Sequence, residues 1–163
     1  MTDAVGNALG RMPYHVGIAT NDLEAAMAAL SGLLQTGWTP VVDQQVGAGL
    51  ATPDAPADHW RVRRTHSRAG PLRVELLEGS ADSTWATDQL AQVHHLAYWS
   101  DDVTADAELL MAQGWTLEVT YFDADGRPKS FAYLAHPNST RIELLESSAR
   151  PAYLELVGDA PAN

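Results

Sequence analysis

Two stretches decide the fold: RVELLEGSA at 73–81 and RIELLESSA at 141–149, identical at seven of nine positions. A near-repeat this far apart in a 163-residue chain asks whether the rest is doubled too. Working outward, HVGIATND at 15–22 matches HLAYWSDD at 95–102, sharing the first His and the last Asp. Between these blocks each half carries Gly-Trp-Thr, at 37–39 and at 114–116. Three landmarks therefore recur in the same order. His15 and Glu75 are 60 positions apart, whereas His95 and Glu143 are 48 apart. Most of the excess falls in VGAGLATPDAPAD, a Gly-, Ala- and Pro-rich run that reads as a loop insertion, either a lid or tolerated surface.

Each half reads alike. Residues 14–20 are a short apolar-rich strand. Asp22 then caps a helix whose Leu23, Met27, Leu30 and Leu34 make one buried stripe, with Gly37 as its stop. Strands follow near 38–43, 60–66 and 71–78. In the second half the strand is 95–100 and Asp102 is the cap. Val103, Ala107 and Leu110 are the stripe, and Gly114 is the stop. Strands follow near 115–121, 129–135 and 140–146, with Asp125-Gly126 marking a hairpin turn. The pattern is βαβββ twice, a first module at 14–78 and a second at 94–146, joined by 79–93 and followed by a tail at 147–163. Neither half could bury much core alone, so residues 1–163 are read as one α+β domain in which the halves pair.

The composition is that of an ordinary globular chain, with 45% hydrophobic and 19% charged residues. There is no cysteine, which removes disulfides and thiolate metal sites. No basic, apolar leader and no membrane-length apolar run is present, so a cytoplasmic protein is expected. A net charge of −11 argues against nucleic-acid and anionic-membrane partners. Yet Arg61, Arg63, Arg64, Arg68 and Arg73, five of ten basic residues, fall within thirteen positions. A solvated strand face is the first reading of such a run, and a local anion-binding patch is the second.

The repeat places His15 and Glu75 in one half where His95 and Glu143 stand in the other. A pseudo-twofold pairing would bring two imidazoles and two carboxylates to one divalent cation: zinc, nickel, cobalt, manganese or iron(II). Such an ion keeps open positions for a chelating substrate or water. Alternation along a strand puts Val74, Leu76 and Glu78 on the face opposite Glu75. By the same rule His94 and His95 cannot both face the site, and the repeat selects His95. His59, His66, His94 and His136 have no repeat partner.

YHVGIATNDLEAAMAAL, VHHLAYWSDD and FAYLAHPNSTRIELLE resemble the corresponding segments of the vicinal-oxygen-chelate superfamily, over roughly 14–146. That superfamily includes glyoxalases, methylmalonyl-CoA epimerases, extradiol dioxygenases and bleomycin-resistance proteins. The resemblance implies paired βαβββ modules forming an open, eight-stranded, barrel-like cleft around a metal, and commonly a homodimer. It implies a lyase, isomerase or epimerase that abstracts a proton next to a carbonyl of a small molecule or thioester. Glu143 or Glu75 would serve as general base. Arg73 and Arg141 are candidate binders of a substrate anion, and Trp99, Tyr121 and Tyr133 are candidate pocket walls. Epimerases usually carry Gln where Glu75 stands, which brings the ligand set nearer the glyoxalases. The tail from SSARPAYLELV lies outside the minimal module. Two other classes fit the resemblance: a non-catalytic binder of an antibiotic or natural product, whose members typically lack the ligands, and an iron(II) ring-cleaving dioxygenase, whose usual triad has one carboxylate.

Overall fold

The computed structural model describes residues 11–68, 70 and 72–158. Among the described residues there are nine strands and three α-helices, and all but one strand and the last helix follow the doubled pattern. The first module holds β1 (His15–Ala19), α1 (Leu23–Leu34), β2 (Val42–Gln45), β3 (Leu50–Ala51), β4 (Arg61–His66) and β5 (Arg73–Gly79). The second holds β6 (Gln92–Ser100), α2 (Val103–Ala112), β7 (Thr116–Phe122), β8 (Pro128–Ala135) and β9 (Ile142–Glu146). A short 3-10 turn (Ser147–Ala149) leads into α3 (Arg150–Val157). Among the described residues no helix is long and apolar enough to cross a membrane.

All strands form one sheet in the order β2-β4-β5-β1-β6-β9-β8-β7-β3. Within each module the first strand lies at the centre of the molecule. Its last strand lies beside it in parallel, and two more follow antiparallel, with β3 set apart at the far edge beside β7. The modules join where β1 and β6 run antiparallel. Strands β2 and β3 sit at opposite ends of the sheet, yet only residues 46–49 separate them. That connection reaches about 18 Å at full extension. Nine strands laid flat would hold their ends about 38 Å apart. The sheet must therefore curl, and its concave face becomes a cleft.

The segment expected to be a lid or tolerated surface is what closes this curl. Leu50 and Ala51 pair with Tyr121 and Thr120 of β7, so a piece of the first module becomes the edge strand of the second. Leu50 and Ala57 are buried with Trp60, Val62, Leu77, Trp85, Val119 and Tyr133 in the core that fills the concave side. This two-residue strand is the ninth, beyond the eight implied by the resemblance.

Helices α1 and α2 cover the convex face. Asp22 and Asp102 accept hydrogen bonds from the Ala25 and Ala105 amides, capping α1 and α2. Leu23 and Ala26 pack on Val74 and Leu76. Val103, Ala107 and Leu110 pack on Ala132, Leu134, Ile142 and Leu144. The stripe on α1 is shorter than the periodicity suggested, because Leu34 is exposed. The helix also stops at Gln35, which adopts a left-handed φ of 49°, rather than at Gly37. At the β7–β8 turn the Asp123 carboxylate accepts from the Asp125 and Arg127 amides, and Gly126 takes the left-handed φ of 75°.

Candidate metal centre

Since alternate residues of β5 and β9 sit under the helices, the residues between them face the cleft. Glu75 and Leu77 point inward from β5, and Glu143 and Leu145 from β9. Cross-strand register then does the rest. Glu75 and His95 both lie opposite Gly17 on neighbouring strands. His15 and Glu143 both lie opposite Ala97. The result is two diagonal rows related by the pseudo-twofold axis between β1 and β6.

The four side chains meet in one place and come from a single chain, their ligand atoms all within 4.8 Å of one another and all four residues buried. The His15 and His95 Nε2 atoms are 2.8 Å apart. From Glu75 Oε2 to these nitrogens the distances are 3.3 and 3.5 Å. From Glu143 Oε2 they are 3.1 and 3.3 Å. A cation bound at the usual 2.0–2.2 Å separates neighbouring ligands by about 3.0–3.4 Å, depending on coordination number. The three edges at 3.1–3.3 Å fall in that range, and those at 2.8 and 3.5 Å lie just outside it. Among the described residues Glu143 Oε2 is buried without a hydrogen-bond donor. Two imidazoles with two carboxylates suit a divalent first-row ion, so the residues present fit such a group.

Electrostatics agree. Burial would push the His15 imidazole down, but Glu75 and Glu143 outweigh it and raise it to about 9. Burial likewise opposes charge on His95, and Glu143 more than offsets this. For Glu143 burial would raise the carboxyl, yet His95 and His15 hold it at about 2. Glu75 is held well below the usual carboxylate range against burial by His66 and His15. The cluster demands positive charge at its centre, which a proton or a metal can supply.

Two histidines without repeat partners matter here. His66 Nε2 is 3.3 Å from Glu75 Oε1, the oxygen turned away from the cluster, because the β4–β5 hairpin sets His66 directly opposite Glu75. The signal was in the sequence, but reading it required the hairpin register. His94 contradicts the alternation rule. The β1–β6 register shifts at this point, leaving His94 as an extra residue that is turned onto the same Tyr133 ring as His95. Its Nε2 is 3.0 Å from the Thr84 carbonyl, which can only accept, so that nitrogen carries a proton. Burial, with Arg141 and His95 nearby, pushes His94 down to about 3, so it is neutral. Its Nδ1 then accepts from His95 Nδ1–H at 2.8 Å, which leaves a lone pair on His95 Nε2, facing the cluster.

Gly17 is the neighbour that makes room. A Cβ there would lie 2.1 Å from the His95 ring.

Two cavities flank the carboxylates. One, of about 210 Å³, is bounded by Val62, Trp85, Phe131, Tyr133 and both Glu75 and Glu143. The other, of about 220 Å³, opens under α3, where Tyr153 packs against Tyr14, His15 and His66. Within the tail, α3 is thus a docked helix that walls the site. Of the expected pocket walls, Tyr121 and Tyr133 line the first cavity. Trp99 does not; it stacks on Tyr14 at 3.9 Å on the far side. Arg141 pairs with Glu118, and neither it nor the buried Arg73 borders either cavity. His59 pairs with Asp82 on the surface, and His136 lies against Trp115.

With this geometry in hand, comparison with known proteins gives a consistent family. The sequence profile described as the Glyoxalase/Bleomycin resistance protein/Dioxygenase superfamily matches residues 14–133. No curated protein matches. Among solved structures, methylmalonyl-CoA epimerase from Mycobacterium tuberculosis is 20% identical with a TM-score of 0.55, over 86% of this chain and 91% of that one. A Streptomyces coelicolor methylmalonyl-CoA epimerase variant in complex with 2-nitronate-propionyl-CoA is 24% identical with a TM-score of 0.54, over 84% and 97%. A hypothetical protein from Bacillus halodurans is 21% identical with a TM-score of 0.56, over 83% and 94%. At these identities the structures share the fold.

Proposed function

Because the chain belongs to the Glyoxalase/Bleomycin resistance protein/Dioxygenase superfamily, we propose that it is a divalent-metal-dependent isomerase, epimerase or lyase that abstracts a proton next to a carbonyl. His15, Glu75, His95 and Glu143 hold the ion in this reading. The observation that carries it is the convergence of these four buried donors, two of which, Glu75 and Glu143, reach the floor of a cavity large enough for a small molecule. Retention of all four separates the chain from non-catalytic binders, and the second carboxylate separates it from the usual iron(II) triad. The solved epimerases, one of them with a CoA-containing ligand, make a thioester one candidate substrate.

When bound, a divalent ion polarises a carbonyl oxygen and stabilises the negative charge that develops there. The protein's own part is the proton. Glu75 is tethered on its outer oxygen by His66 at 3.3 Å, with Arg64 at 3.9 Å. Among the described residues, Glu143 has only the two imidazoles within ion-pairing distance. The less tethered carboxylate is the one able to swing toward substrate, so Glu143 takes the proton from the carbon beside the carbonyl and returns it there or to a neighbouring carbon. Glu75 stays as a fixed ligand. The ring of Tyr133 and the side chains of Val62, Trp85 and Phe131 limit water around the reacting carbon.

The test is solvent-deuterium exchange into small α-substituted carbonyl compounds and acyl thioesters, comparing metal-loaded with chelated protein. Metal-dependent exchange is expected. Exchange that survives chelation removes the reading.

A further inference from the structure

Two of the arginines clustered in the sequence are neutralised by carboxylates, and two others point away from the cavities. Arg61 pairs with Asp43 at 2.8 Å. Arg63 is clamped between Glu24 and Glu78. The Arg68 Nε donates to the Trp38 carbonyl. Arg73 is buried away from both cavities. Arg64 differs. Its side chain is 41% exposed, and its nearest carboxylate oxygen, Glu75 Oε1, is 3.9 Å away, beyond hydrogen-bonding reach. Among the described residues the guanidinium makes no hydrogen bond, although it borders both cavities that meet at the metal centre.

The strand geometry explains the position. Arg64 lies two residues from Val62 on β4, and so on the same, concave face. Gln44, opposite Val62 on β2, adds a second polar side chain to that wall. The remaining walls are largely apolar, with Leu50, Leu77, Trp85, Phe131 and Leu145 beside the rings of Tyr121 and Tyr133. At about 210 Å³ the cavity is below the range typical for drug-sized ligands, so it encloses a compact group and no long carrier arm.

We infer that Arg64 is an anion subsite beside the metal centre, and that the substrate is a compact carboxylic acid whose carboxylate lies close to its reacting carbonyl and whose remainder is apolar. This deepens the proposed reaction and rests on it. The physical argument is one of charge. A protein of net charge −11, with two carboxylates at the cavity floor, repels an anion unless a local cation with unused donors receives it. A guanidinium offers five N–H groups and pairs with a carboxylate in a two-pronged geometry. Binding should also need the divalent ion, which offsets Glu75 and Glu143.

The experiment is calorimetric titration of cobalt(II)-loaded protein with phenylpyruvate, 4-methyl-2-oxopentanoate and their methyl esters, in wild type, Arg64→Gln and Arg64→Lys. Cobalt affinity is measured for each variant first. Both acids should bind wild type more tightly than their esters. Arg64→Gln should weaken the acids at least about tenfold while barely moving the esters. Arg64→Lys should fall between, since a lysine keeps the charge without the fork. An acid preference that survives intact in Arg64→Gln reports chelation by the metal alone and overturns the subsite. Failure of wild type to bind either acid overturns it as well. The underlying reading is tested separately: loss of cobalt binding, or exchange that survives chelation, removes the metal mechanism, whereas metal-dependent exchange without an Arg64 effect removes only the carboxylate subsite.

Discussion

The two modules repeat the same topology, yet they support their share of the site differently. In the first, Glu75 is braced from behind by His66, while among the described residues the Nδ1 of His15 is buried with no hydrogen-bond partner. In the second the support is reversed. His95 is braced through His94 to the Thr84 carbonyl, while Glu143 meets only the two imidazoles among the described residues. Each module thus fixes one ligand firmly and leaves the other less restrained. A duplicated fold can supply a symmetric ligand set and still assign unequal roles, because the second layer of contacts is not duplicated.

The largest expected effect tests whether the two carboxylates differ. Glu143→Gln should lower metal-dependent deuterium exchange by about 10²–10⁴-fold, the usual contribution of a general base, while the protein still binds metal. Glu75→Gln should mainly weaken metal binding and cost far less in rate per bound ion. Equal rate losses at equal metal occupancy would break the distinction between the modules.

Next is the imidazole support. His94→Ala should weaken metal binding by about 10–100-fold, as loss of a partner that orients a ligand generally does. A variant at the first module's His66 should act instead through Glu75. Competition titration with a chromogenic chelator reads both. If His94→Ala leaves the metal dissociation constant untouched, the tautomer argument fails.

A third comparison sets Gly17 against Ala97, which occupy matching positions two residues after each His. An added methyl at Gly17 collides with the His95 ring, so Gly17→Ala should destabilise the fold by about 1–3 kcal/mol and weaken metal binding. Chemical denaturation with and without metal measures this. An unchanged midpoint in both states would show that the strand yields easily.

The smallest effect is on pH dependence, to which each module contributes one side. In the metal-free protein His15 sits at about 9 against an ordinary 6.5, so its contribution is complete below pH 6.5 and is lost as pH rises through 9. Glu143 sits at about 2 against an ordinary 4.5, so its contribution is complete above pH 4.5 and is lost as pH falls through 2. Stability without metal should therefore peak between pH 4.5 and 6.5. The Tm should drop by about 5 °C toward pH 9, a loss that bound metal prevents by replacing the proton. A metal-free Tm that is flat from pH 6 to 9 would contradict the coupling.

The sequence alone determined the doubling, the two aspartate helix caps, most of the strands and the identity of the four converging residues. These are legible because period-two and helical patterns, and a repeat in register, are local properties of the chain. Tertiary structure decided the rest. The β3 pairing with β7 joins residues some seventy positions apart, and nothing in a Gly- and Ala-rich loop announces its partner. The shift at His94 breaks strand alternation, and only the neighbouring strand's register reveals it. Arg64 looked like its neighbours Arg61 and Arg63 until the carboxylates around each were placed. Side-chain roles of this kind depend on what lies across a cleft, and folding sets that distance without a local code.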